Sequence, residues 1–165
     1  LSHQLAELNT QLHLVINEYG EIMAFDITPG NVDDRNQKVI SKLTQRLWGK
    51  LFGDRGYLSK SLFHTLYAQG IQLSPRLKKG MKSSILSIQD SFFLGKRNLI
   101  ETVNGQLKFK CQVEHTRHRS AHNFLVNVLA AIAAYAFFPN KPFPIGESTD
   151  ILFAFKSASF SATSV

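Results

Sequence analysis

Apolar positions along the chain alternate between strand-like and helix-like spacing, and the changes of spacing mark out the elements. Leu1, Leu5 and Leu8 recur at helical spacing in a weakly amphipathic opening segment. Leu12 to Asn17 is a short run rich in β-branched residues, and Ile22 to Thr28 is a second. The four residues between them, Asn17-Glu18-Tyr19-Gly20, are turn formers, so the pair predicts a β-hairpin closed by Pro29-Gly30-Asn31. Val39, Ile40, Leu43 and Leu47 then form a one-sided stripe, predicting a helix to about Trp48 with Asp33 and Asp34 as N-cap candidates. A short strand at Lys50 to Phe52 leads into the loop Gly53-Asp54-Arg55-Gly56. Next come a helix at Lys60 to Ala68, stopped by Gly70, and a strand at Ile71 to Leu73. Arg76 to Ser91 has no period and reads as a loop. Lys96 to Lys110 has Leu99, Ile100, Val103 and Leu107 on one helical face. Ala121 to Phe138 is the most apolar helix and should pack centrally, and Pro139 stops it. Lys141 to Val165 is rich in Ser, Pro and Phe and reads as an irregular tail. This order of elements, without internal repeats, is that of an α/β domain.

Composition adds little until charge is located. A chain of 165 residues with 44% apolar content suits one globular domain, and no apolar run reaches the roughly 20 residues of a membrane span. No signal-peptide pattern opens it. Cys111 is the only cysteine, which removes internal disulfides and cysteine-cluster zinc sites and fits a reducing, cytoplasmic setting. Between Arg76 and Arg119 lie ten basic residues and three acids, a surplus equal to the whole net charge of +7. Such concentration points to an anionic polymer as partner, and a solvated lysine-rich face is the plain alternative.

Two acids stand out by their surroundings. Asp54 follows the apolar Leu51-Phe52 and lies between two glycines. Carboxylates at the C-terminal ends of strands commonly face an active-site crevice, although Asp and Gly are also ordinary turn residues. Glu101 shares one helical face with Arg97 and Lys108. Taken alone, that face is a solvated one with an i,i+4 ion pair. The triplet His115, His118 and His122 lacks acidic companions and reads poorly as a metal site. His13 and His64 read as packing or surface residues, and Tyr57 and Trp48 as core or half-buried aromatics.

The segments LHLVINEYGEIMAFDITPGNVDDR, LFGDRGYLSKSLF, KRNLIETVNGQLK and HTRHRSAHNFLVNVLAAIAAYAF together resemble the DDE transposases of insertion sequences. In that family the last acid lies in a signature of Tyr, two residues, Arg, three residues, Glu, six residues, Lys. Arg97, Glu101 and Lys108 keep this spacing, and Leu94 stands at the tyrosine position. The resemblance implies a ribonuclease-H-like mixed sheet flanked by helices. It also implies Asp54 and Glu101 as catalytic, metal-binding acids, and DNA phosphates as partners of Arg97, Lys108, Arg117 and Arg119. On this reading residues 1–11 lie outside the family, 12–139 form a partial catalytic domain, and 140–165 are the tail. DNA cleavage and strand transfer in this group use Mg²⁺, two ions about 4 Å apart stabilising the attacking and leaving oxygens. The family's first acid, which bridges both ions, belongs to a central strand upstream of the hairpin. No aspartate precedes Leu12, and Asp26, Asp33 and Asp34 stand at other positions. The expectations are therefore an inactive fragment and a sheet without its central strand. The gap would close by pairing of Leu12–Asn17 with Lys50–Phe52, by splitting of the sheet, or by insertion of Leu1–Asn9. Expected partners are DNA (element ends and target), a second copy, or a complementing transposase chain. The alternative function is a remnant that binds DNA or a partner without chemistry.

Overall fold

The computed structural model describes residues 8–32, 36–53, 60–75, 98–113, 120–142, 151–154 and 158–162. The hairpin forms as its pattern predicts, with strands β1 (Leu8–Asn17) and β2 (Ile22–Pro29) antiparallel. The pairing shifts register between Val15 and Ile16, leaving Met23 as the extra residue of a bulge. Next come helix α1 (Gln37–Thr44), strand β3 (Gly49–Gly53), helix α2 (Lys60–Ala68) and strand β4 (Ile71–Pro75), with β3 and β4 parallel. Helices α3 (Asn98–Phe109) and α4 (Ala121–Ala136) follow, then strands β5 (Ile151–Ala154) and β6 (Ala158–Ala162). The chain is thus mixed α/β.

Two helix boundaries differ from those expected. Helix α1 is capped by Asn36, whose side chain accepts a hydrogen bond from the Lys38 N–H at 3.0 Å. Asp33 and Asp34 lie outside the described residues. The helix stops at Thr44, whose hydroxyl donates back to the Ile40 carbonyl, and the chain turns through Leu47. Trp48 therefore lies beyond the helix and is 68% exposed, where a core or half-buried aromatic was expected.

One six-stranded sheet runs in the order β2-β1-β5-β3-β4, with β6 also paired to β1. Its two faces are covered separately. Leu12, Leu14, Ile16 and Phe52 pack beneath α3 and α4, against Val103, Leu107, Phe124, Val128 and Tyr135. Val15, Leu51, Ile71 and Leu73 pack on the other face against Val39, Ile40 and Leu43 of α1 and Leu62 and Leu66 of α2. Leu12 to Ile16 are buried without interruption, as expected for a strand covered on both faces. His13 lies within that run, fully buried, and its Nε2 is 2.8 Å from the Thr28 hydroxyl on the neighbouring strand.

The centre of the sheet overturns the expected gap. None of the three expected closures occurs. The segment after Pro139, expected to be irregular, supplies β5, which is antiparallel to β1 and parallel to β3. The physical reason is legible in retrospect. Ile151-Leu152-Phe153-Ala154 is a short continuous apolar run, the composition a strand with two covered faces requires. Pairing it satisfies backbone groups on β1 and β3 that would otherwise cost about 1–3 kcal/mol each if buried unpaired.

Helix α4 carries no charged residue. Its inner face buries Phe124, Val128, Ala131 and Tyr135, while Leu125, Val126 and Leu129 remain exposed on the outside. Lys141 closes its C-terminal end by donating to the carbonyls of Ala136 and Phe138, where a cation also suits the helix dipole. Among the described residues no helix is long and apolar enough to cross a membrane.

Candidate functional site

The candidate site is framed by the C-terminal end of β3 and by α3. Phe52, near the end of β3, belongs to the same core cluster as Leu99, Ile100 and Val103 of α3. That packing seats the helix over the strand end from which the chain continues to Asp54. Asp54 itself lies outside the described residues, as do Arg97, Arg117 and Arg119.

Helix α3 turns its apolar stripe inward and Glu101 outward. Glu101 is exposed in the first turn and Lys108 half-buried in the last. Seven residues place them about 10 Å apart along the axis, on one side of the helix. Each position also has a purely structural merit, because an acid in the first turn and a base in the last complement the helix dipole. Between them Gly105 has nothing within 4 Å of an added Cβ. The face carrying Glu101 and Lys108 is thus open at its middle. A methyl group fits there, and Gly105→Ala is expected to raise stability by roughly 0.5–1 kcal/mol through helix propensity. Chemical denaturation of the variant checks this. A loss of stability would show that the face is covered.

Of the other acids considered from the sequence, Asp26 is accounted for structurally, and Asp33 and Asp34 lie outside the described residues. Asp26, on β2, accepts a 2.7 Å hydrogen bond from the Lys42 ammonium of α1. With Lys42 67% exposed, this pair contributes no more than about 1 kcal/mol. His64 and His122 are exposed on separate helices, and His115 and His118 lie outside the described residues. Among the described residues no three His, Cys, Asp or Glu side chains gather as a metal site.

A two-ion Mg²⁺ centre is not shown among the described residues. Such a centre needs several oxygen ligands held at fixed spacing. Glu101 is the one described carboxylate of the expected pair, and the strand beside β3 reads Ile151-Leu152-Phe153-Ala154, without an acid. This strand is what the sequence reading missed. Its signal, five successive apolar residues after Asp150, was obscured by the serine-rich segment around it.

The Arg117–Arg119 segment leads directly into α4. Ser120 caps that helix, its hydroxyl accepting from the Asn123 N–H at 3.2 Å.

A family model described as a transposase DDE domain matches residues 8–121, more than half of the chain. No curated protein and no solved structure matches it.

Proposed function

The chain belongs to the transposase DDE domain family, and from that premise we propose that it is a DNA-binding transposase domain, related to DNA transposition, that does not cut DNA by itself. The observation that carries the reading is the occupant of the central place in the sheet. A hairpin on one side and two parallel strands on the other, with helices on both faces, support a ribonuclease-H-like arrangement. The strand between them brings apolar residues where cleavage chemistry needs a carboxylate bridging two ions. Asp54 and Glu101 would each hold Mg²⁺ weakly, with nothing to fix the spacing of a pair.

DNA affinity comes from charge. The surplus of basic residues between Arg76 and Arg119 suits phosphate contact, and Arg97, Lys108, Arg117 and Arg119 are assigned to the backbone of element ends or target. Lys108 stands about one turn from Gly105, where an added Cβ meets nothing within 4 Å.

Fluorescence anisotropy on a labelled duplex, titrated with salt, tests the binding. Affinity should fall steeply with salt, and Lys108→Ala should lower the slope of log K against log salt by about 1. Absence of binding at low salt overturns the DNA-binding part. For the chemistry, supercoiled plasmid incubated with the chain and Mg²⁺ or Mn²⁺ should stay intact. Metal-dependent nicking that Asp54→Ala abolishes overturns the inactive part.

The outer face of α4 favours a second reading, a contact between copies of this chain. That face is apolar and free of Asp, Glu, Lys and Arg side chains, so two copies would meet there without charge repulsion in a symmetric pair. Sedimentation velocity on the unmodified chain and on Leu129→Lys separates a dimer from a monomer.

A further inference from the structure

The two tail strands lie on a single line. Ala158–Ala162 pair with Leu8–Leu12, and Leu152–Ala154 pair with Val15–Asn17, both antiparallel and with registers that differ by one residue. Residues 152–154 and 158–162 therefore lie against the same edge of β1. The first part also reaches across to β3, where Ile151, Leu152 and Phe153 stand opposite Lys50, Leu51 and Phe52 in parallel. In the order β2-β1-β5-β3-β4, β5 is the one strand joining the hairpin half of the sheet to the parallel half.

This place has defined requirements. Its occupant must offer N–H and C=O groups to both neighbours, antiparallel to one and parallel to the other. It must be apolar on alternate and intervening positions alike. Val15 and Leu51 face one helical layer, and Ile16 and Phe52 face the other. The Ile-Leu-Phe-Ala run meets that requirement, and the small, alternating Ala-Ser-Phe-Ser-Ala follows where only β1 is paired.

We infer that the facing edges of β1 and β3 form an acceptor site for one extended apolar strand, and that β5 of the same chain is its resident occupant, with β6 continuing along β1. While they hold it, the site is closed to a strand from any other polypeptide. The short tether explains why the chain's own strand prevails. Pro142 lies against Gly20 at the hairpin turn, close enough that a Cβ there would approach the Pro142 carbonyl oxygen to 2.5 Å. Leu152 pairs with Asn17 at that same end of β1. Only residues 143–151 separate the two anchor points, so the strand is presented at an effective concentration on the order of millimolar. The inference does not depend on the proposed DNA chemistry. It bears on that chemistry in one way: a complementing transposase chain that brought its own acid-bearing strand would first have to displace this one.

Two measurements on the full-length chain test it. Hydrogen exchange on the unmodified protein should show the amides of residues 151–154 protected about as long as those of 50–52. Complete exchange of 151–154 at the earliest time, with 50–52 still protected, overturns the inference. The second measurement uses a fluorescent peptide of residues 149–163. It should bind the Phe153→Pro chain about a hundredfold more tightly than the unmodified chain, because proline removes a ladder donor and cannot occupy a central strand. Equal affinity for both chains overturns the acceptor site. If the proline variant does not fold, the exchange result on the unmodified chain still decides. Neither result is moved by the presence or absence of DNA binding.

Discussion

Gly20→Ala should lower the stability of the fold by roughly 2–5 kcal/mol, more than a methyl addition at Gly70 or Gly105. The turn around it is built by Asn17. The Asn17 side-chain oxygen accepts from the N–H groups of Tyr19 and Glu21, at 3.0 and 2.9 Å, and the Gly20 N–H donates to the Asn17 carbonyl. Closing the hairpin in this way places Gly20 at φ +71°, a conformation that costs an L-residue about 1–2 kcal/mol. A second penalty is specific to this position. The added Cβ would lie 2.5 Å from the backbone oxygen of Pro142, which cannot rotate away as a side chain would. Overpacking of that kind adds about 1–3 kcal/mol. Gly70 provides the control, since it also has a positive φ, +80°, but nothing within 4 Å of its added Cβ. Urea unfolding of the two variants separates the contributions. If Gly20→Ala is no more harmful than Gly70→Ala, Pro142 does not approach the turn as the structure shows.

That close approach also explains what the sequence reading could and could not reach. The hairpin, α2, α3 and α4 follow from local signals. Periodicity, caps and turn residues sit within a few positions of the elements they determine, as Ser120 does for α4 and Gly70 for α2. Trp48 was harder, because its exposure depends on where α1 stops, and no proline or glycine between Thr44 and Trp48 marks that end. The central strand was hardest. Ile151–Ala154 is four residues long, too short to be told from a buried turn of helix by periodicity, and its partners lie more than a hundred positions earlier. Its place depends on two edges that only the folded sheet brings together.

The site shows the same division. The spacing of Arg97, Glu101 and Lys108 was readable because a helix converts sequence separation directly into a shared face. The structure bears out that helix for the two described members, Glu101 and Lys108. The relation of Asp54 to that helix is of another kind, since it depends on how the end of β3 packs under α3 through Phe52, Leu99 and Ile100. No spacing in the sequence carries that information. The motif resemblance, with the basic stretch around it, brought Asp54 and Glu101 into one reading.

Tyr135 gives the second large effect, and it depends on pH. Its ring is fully buried and its hydroxyl donates to the Gly20 carbonyl at 2.7 Å, tying the end of α4 to the hairpin turn. Burial, followed by the negative charges that Cys111 and Glu21 place nearby, pushes its pKa from 10.0 up to about 12. A pKa raised in the folded state means that folding favours the protonated hydroxyl. The associated stability is fully present below about pH 10 and is lost as pH rises from 10 toward 12. The loss by the upper end amounts to roughly 2–3 kcal/mol. The Cys111 thiol, raised chiefly by its own burial, adds a decline that begins nearer pH 9, so the unmodified chain should weaken over the whole alkaline range. Tyr135→Phe isolates the hydroxyl. At neutral pH the variant should lose about 1 kcal/mol with the hydrogen bond to Gly20. Between pH 10 and 12 its stability should fall less steeply than that of the unmodified chain, so the two curves converge and then cross. Unfolding free energies measured across that window decide the matter. Parallel curves would mean that the hydroxyl is not held protonated by the fold, and that the bond between α4 and the hairpin turn is absent in solution.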